Sequence, residues 1–220
     1  ATTEIYTLSL HDALPISFFL ESTFLGLWIF GWGRIPEKVH ASFMWLIHIG
    51  TVLSAYFILA ANSFMQNPVG FYNNPETGRA ELTSFAEVLT NPVQLAAFPH
   101  VLAAAWMTGG AFVLTFGLYH VWRAKHPAGD RSMYRTAARI GAVAVLIGGA
   151  ATVVTGDIQG KVMTDVQPMK MAAAEGLYHT NAEGEGADFS IITVGTLDGT
   201  EEVWAITVPN LLSYLATGTL

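Results

Sequence analysis

The sequence predicts an all-α fold: a polytopic bundle of transmembrane helices, about four spans, with a long outward-facing loop. Three observations lead there. Only 12% of the 220 residues are charged, against a globular norm of ~25%. Hydrophobic residues make up 52% and mean hydropathy is +0.42. The apolar residues gather into four stretches whose connecting loops alternate between basic and acidic. This balance excludes a disordered chain, a nucleic-acid binder and an ordinary soluble enzyme. There is no cysteine, hence no disulfide framework and no thiolate metal site.

Residues 1–17, ATTEIYTLSLHDALPIS, stand apart. They hold Glu4, His11 and Asp12 but no Lys or Arg, so they lack the positive start of a signal peptide. The run from Ile5 to Ile16 resembles a translated sequencing adapter. The expectation is a non-native tail at 1–17, a transmembrane bundle at 18–155 and a partial outer loop at 156–220.

The first apolar stretch, Phe18 to Trp32, is shorter than the ~20 residues a bilayer span needs. The second runs from Val39 to Ala61, the third from Val93 to Trp122 and the fourth from Thr136 to Thr155. Arg139 sits at the entrance of the fourth, where it can snorkel. Gly109, Gly110, Gly148 and Gly149 are small enough to let helices approach closely. Seven of the ten Lys and Arg lie in the loops after the first and third stretches or, with Arg139, at their edge, and twelve of the seventeen carboxylates lie in the other two loops. Basic loops face the cytoplasm, so the long segments 62–92 and 156–220 are expected outside. In the first, Glu81 to Leu89 is read as a short interfacial helix. In the second, the pattern predicts a helix over Pro168 to Tyr178 and strands over Phe189 to Val194 and Val203 to Val208.

Few polar groups sit in the apolar stretches. Glu21 is the carboxylate among them, and a carboxylate in a span marks a function unless a neighbour neutralises it. Ser22 and Thr23 follow it and could pass protons. His100 begins the third span near the outer face, where an imidazole could ligate a haem iron or merely hold a carbonyl. His40 and His120 lie at the cytoplasmic edge, and His48 is mid-span. No zinc or di-iron motif occurs. Lys170 and Glu175, in QPMKMAAAEG, are five apart and so lie on different sides of a helix. They are compatible with a solvated surface helix or with a polar headgroup site that exchanges protons.

FFLESTFLGLWIFGWGR, LSAYFILAANSFMQNPVGF, NPVQLAAFPH, GDIQGKVMTDVQPMKMAAAEG and VWAITVPNLLSYLAT, in this order from Phe18 to Thr217, resemble subunit I of the cytochrome bd quinol oxidases. The resemblance implies a terminal oxidase of the bacterial cytoplasmic membrane. It would take electrons from quinol at the outer face and pass them to molecular oxygen through a low-spin haem b, a high-spin haem b and a haem d. It also implies a second subunit as partner. Carried over by position, His100 matches the axial ligand of the low-spin haem b. Glu21 with Ser22 matches the acidic position of a proton route, and Ser54 a polar position on the same route. Lys170 and Glu175 match the quinol loop. Asn62, Gln66 and Asn67 belong to a family motif without an assigned step. The family's remaining haem ligands are expected outside these 220 residues, so the chain alone is expected to be inactive. A proton-coupled transporter subunit, with Glu21 as coupling carboxylate, and a structural anchor subunit are the alternatives.

Overall fold

The computed structural model describes residues 18–123, 128–179 and 185–218. Residues 1–17, expected as a non-native tail, and Lys125 lie outside them.

The chain divides into two compact units, residues 1–98 and 99–220. In the first, helix α1 (Phe18–Phe30) leads through a turn to α2 (Glu37–Gln66). The turn uses Gly33 at φ 70°, a conformation natural to glycine. α1 and α2 run antiparallel: the Phe24 and Phe43 rings lie 5.5 Å apart, and His40 stacks on Trp28 at 5.8 Å. The His40 Nε2 is 2.7 Å from the Trp28 carbonyl oxygen, one of the oxygens a helix end leaves without an intrahelical donor.

Beyond α2 comes an antiparallel hairpin, β1 (Phe71–Asn74) and β2 (Arg79–Leu82), then the short helix α3 (Phe85–Leu89) capped by Ser84. The expected helix over Glu81 to Leu89 is therefore corrected. Glu81 is a strand residue opposite Tyr72, accepting hydrogen bonds from the Tyr72 hydroxyl at 2.5 Å and the Asn74 amide at 2.8 Å. The helix begins only after Thr83 and Ser84 donate their N–H groups to the Gly70 carbonyl.

Helix α4 (Pro92–Trp122) starts in the first unit and continues into the second, with Pro99 at the division. The second unit pairs α4 with α5 (Ala128–Val166). Glycines set their separation. A Cβ on Gly110 would lie 2.8 Å from the Ala144 Cβ, on Gly117 2.7 Å from the Ala138 nitrogen, and on Gly148 2.6 Å from the Met107 nitrogen. Backbones meet almost directly along this seam, as small residues permit in membrane helix pairs.

α5 does not stop at Thr155. It runs to Val166, with Lys161 paired to Asp157 at 2.9 Å one turn earlier. After it come α6 (Pro168–Ala174), a hairpin of β3 (Phe189–Gly195) with β4 (Glu202–Val208), and α7 (Leu211–Thr217). The fold is thus mostly helical rather than all-α. Its two hairpins lie in the polar segments, where backbone groups can be satisfied outside a bilayer.

Among the described residues three helices are long and apolar enough to cross a membrane: α2, α4 and α5. The described part of the first expected span, α1, is shorter. Little is buried, and mostly small: Ala60, Ala96 and Ala97 in the first unit, Ala103 and Ala138 in the second. Trp45, Trp106, Phe112, Leu146 and Val153 stand exposed along the helices. Large apolar side chains turned outward suit a lipid solvent, which removes the penalty that water would impose.

Candidate functional site

His100 is half-buried on α4 and faces α5. Its Nδ1 lies 3.2 Å from the Thr155 Oγ1. The Thr155 hydroxyl donates its own proton to the Ala151 carbonyl at 2.7 Å, so its oxygen is left as acceptor. That arrangement suits Nδ1 as the donor of the pair, and Nε2 has no hydrogen-bond partner among the described residues. Gly156 adjoins the ring, where a Cβ would come within 3.3 Å of Cε1. An imidazole oriented through Nδ1, with Nε2 left open, is a common arrangement for a metal donor. No group of three or more His, Asp or Glu able to hold a metal ion occurs among the described residues. Among the described residues, His100 fits a single protein donor to a prosthetic iron.

His40, His48 and His120 have simpler surroundings. His40 holds the end of α1, His120 stacks on Tyr134 at 4.4 Å, and His48 meets the edge of Trp45 at 6.3 Å.

Glu21 is half-buried on α1, and its Oε1 is enclosed without a hydrogen-bond partner among the described residues. An enclosed oxygen left unmet costs about 1–3 kcal/mol or more, unless a proton, water or further group reaches it. Ser22 is exposed and donates to the Phe19 carbonyl at 3.2 Å. Ser54 is half-buried on α2. The ring pairs Phe24–Phe43 and Trp28–His40 set the α1–α2 register. Extended at helical rise, they put Glu21 level with Leu46 and Ile47. Ser54 then lies about 11 Å further along α2, so Glu21 and Ser54 are not brought into contact.

Lys170 and Glu175 separate as their spacing implies. α6 ends at Ala174, and Glu175 caps it. Glu175 is half-buried in the wall of a cleft of about 200 Å³ together with Thr164, Met171, Leu177, Leu212 and Ser213. Lys170 is exposed and lies outside that wall. Glu175 is the carboxylate of the lining, and the other walls are chiefly apolar. The Ser213 hydroxyl oxygen accepts from the Ala187 N–H at 2.7 Å, and the Ser213 N–H donates to the Ala187 carbonyl at 3.2 Å. This double link, with Asp188 accepting from the Asn210 N–H at 3.0 Å, holds α7 against the segment that leads into β3.

Sequence reasoning missed the most deeply buried polar groups. Gln94 and Asn91 are fully buried and Ser63 nearly so. The Gln94 amide donates to the Tyr56 carbonyl at 2.9 Å, and the Asn91 amide to the Asn67 carbonyl at 2.7 Å. The Asn91 Oδ1 accepts from the Val93 N–H at 3.0 Å, capping α4 ahead of Pro92. Asn67 thus ties the end of α2 to the start of α4, while Gln66 bonds Asn62 on the same helix. The Asn-Pro pair signals a helix start in the sequence. Nothing there signals the burial of Gln94. Thr155 and Ser213 likewise lie in runs that give no sign of their partners.

Residues 3–220 match the family model of cytochrome bd terminal oxidase subunit I. The chain is 39% identical over 203 residues to cytochrome bd ubiquinol oxidase subunit 1 of Bacillus subtilis (strain 168), covering 91% of this chain and 41% of that protein. It is 36% identical over 205 residues to cytochrome bd-II ubiquinol oxidase subunit 1 of Escherichia coli (strain K12), covering 93% and 39%. Among solved structures, a chain of the bd oxidase from Geobacillus thermodenitrificans matches with a TM-score of 0.73 at 29% identity, over 94% of this chain and 46% of that one. The chain therefore spans about 40% of the length of the curated relatives it matches. With its apolar helices, its motifs and this match along nearly its whole length, the chain belongs to the cytochrome bd terminal oxidase subunit I family.

Proposed function

We propose that this chain is the part of subunit I that receives electrons from quinol at the outer membrane face, within an oxidase that reduces molecular oxygen to water. The observation that carries the reading is His100, whose Nδ1 is engaged by Thr155 while Nε2 is left available. His100 would hold a low-spin haem b, which would supply a one-electron carrier when bound. The high-spin haem b and haem d belong to the intact complex, as do subunit II and the surrounding lipid bilayer. The two curated relatives described above carry ubiquinol oxidase in their names, which supports quinol as the substrate.

Oxidising a quinol removes two electrons and two protons. The cleft beside α6 suits that chemistry, because its apolar walls accept the ring and Glu175 accepts a proton from a ring hydroxyl. Lys170, exposed beyond the wall, acts at the entrance of the quinol site. Glu21 and Ser22 belong to the proton route toward the oxygen-reducing haems. Ser54 is a separate station on that route, one that needs water or another group to bridge to Glu21. The short basic loops face the cytoplasm and the acidic segments face outward, in keeping with the charge pattern.

The test is His100→Ala in the full-length oxidase. The reduced-minus-oxidised spectrum loses the low-spin haem b band, and quinol oxidase activity falls to background. An intact band would show that another residue holds that iron.

A further inference from the structure

We propose that Thr155 is a positioning residue for His100, fixing the imidazole tautomer and setting the electron-donating strength of its Nε2. The inference rests on the reading of His100 as an axial haem ligand and goes beyond it.

Threonine inside a helix commonly returns its hydroxyl proton to the carbonyl four residues earlier. Thr155 does this at 2.7 Å from the Ala151 oxygen, with the Thr152 carbonyl at 3.4 Å as a second acceptor. Its hydroxyl proton being spent on its own helix, the oxygen can only accept from His100. The 3.2 Å contact is thus read as Nδ1–H donating to Oγ1. Such a bond leaves Nε2 unprotonated and raises its basicity, the usual work of a group that orients a metal-bound histidine. Gly156, next along α5, leaves room beside the ring: a Cβ there would stand 3.3 Å from Cε1 and 3.6 Å from Nδ1. One helical position supplies the acceptor and the next leaves the room.

A more basic Nε2 favours the oxidised iron, so loss of the bond should raise the midpoint potential of the haem that His100 holds. Thr155→Val keeps the branched shape and removes the hydroxyl, whereas Thr155→Ser keeps the hydroxyl and removes the methyl group. Both are made in the full-length oxidase and titrated spectroelectrochemically at the low-spin haem b band. A single hydrogen bond changes an equilibrium about threefold to tenfold. At 59 mV per tenfold for one electron, that is an upward shift of about 30 to 60 mV in Thr155→Val.

The expected result is this shift in the valine variant and the wild-type potential in the serine variant. Loss of the haem from the valine variant with normal haem in the serine variant supports the same role, since haem then follows the hydroxyl and survives loss of the methyl group. An unshifted valine variant overturns the role of Thr155 and leaves His100 as ligand. Haem loss in both variants also overturns it, because the hydroxyl would then not be the feature that matters. His100→Ala, measured alongside, identifies failure of the underlying reading: retention of the low-spin band there removes the ligand itself.

Discussion

Alanine placed at Gly110 and at Gly109 should give opposite outcomes, although the two residues are chain neighbours on one helix. At Gly110 the new Cβ would lie 2.8 Å from the Ala144 Cβ, 2.9 Å from the Val145 nitrogen and 3.0 Å from the Gly141 oxygen. Ordinary contact begins at 3.4 Å, so α4 and α5 must part by about 0.6 Å locally, and two of the three obstacles are backbone that cannot rotate away. At Gly109 a Cβ meets nothing within 4 Å. Both substitutions gain the same helix propensity, about 1 kcal/mol. Comparing them cancels that gain and isolates the contact, for which overpacking costs about 1–3 kcal/mol. Gly110→Ala should therefore melt below Gly109→Ala when the purified oxidase is heated in detergent and followed by helical circular dichroism. Gly148 and Gly149 offer an independent repeat, with a 2.6 Å approach to the Met107 nitrogen at the first and a 3.7 Å contact with the Met107 sulfur at the second. Equal melting within each pair would refute the close α4–α5 seam.

Further outcomes follow from the polar groups. Glu21→Gln in the full-length oxidase should slow oxygen consumption with normal haem content, because the amide cannot exchange a proton by titration; wild-type turnover would take Glu21 off the proton route. Glu175→Gln should lower kcat for quinol oxidation, whereas Lys170→Ala, altering a group outside the cleft wall, should act mainly on KM. Steady-state kinetics that reverse this order would argue against the cleft as the quinol site. Tyr72 should titrate above the usual phenol value of 10.0, because its hydroxyl donates to Glu81, with desolvation and the carboxylate charge adding in the same direction. A raised folded value means that the contact stabilises the hairpin below the ordinary phenol range and that the gain is lost as pH climbs through the raised value. Ultraviolet difference titration against Tyr72→Phe checks it, and Glu81→Gln should bring the titration back down.

What could be read from the sequence depended on whether a residue's role lies in its own stretch of chain. The spans α2, α4 and α5 were legible because twenty apolar residues without charge have few other uses. The course of α5 beyond Thr155 was not, since Gly156, Asp157 and Gly160 look like the start of a loop. Once the helix is propagating, each glycine costs only about 1 kcal/mol, and the Lys161–Asp157 pair supports the next turn. The hairpin over Phe71 to Leu82 lacked the alternation that marks strands, although Gly78 at φ 63° shows why a glycine stands in its turn. The pattern at Gly109–Gly110 and Gly148–Gly149 announced close helix contact. Which member of each pair makes the contact depends on rotation about the helix, and only the fold decides that. Likewise Glu175 and Lys170 were legible as a polar pair on different sides, but the cleft that selects Glu175 is assembled from α5, α6 and α7.

The length of α5 bears on how this protein can diverge. Its 39 residues make a rod of about 58 Å at helical rise, and the same rod carries Thr155 beside His100 and Thr164 in the wall of the cleft. Nine residues apart, these positions are about 13.5 Å apart along the axis, a spacing kept by backbone hydrogen bonds rather than by the chain that follows. Insertions, deletions or wholesale replacement between α6 and α7 can reshape the cleft sideways but leave its height above the imidazole untouched. The loop can thus be rewritten while the spacing between the cleft wall and the imidazole along α5 stays inherited. A residue inserted within α5 between Thr155 and Thr164 would have the opposite effect: it would turn the cleft about 100° around the helix and lift it about 1.5 Å, with the loop sequence unchanged.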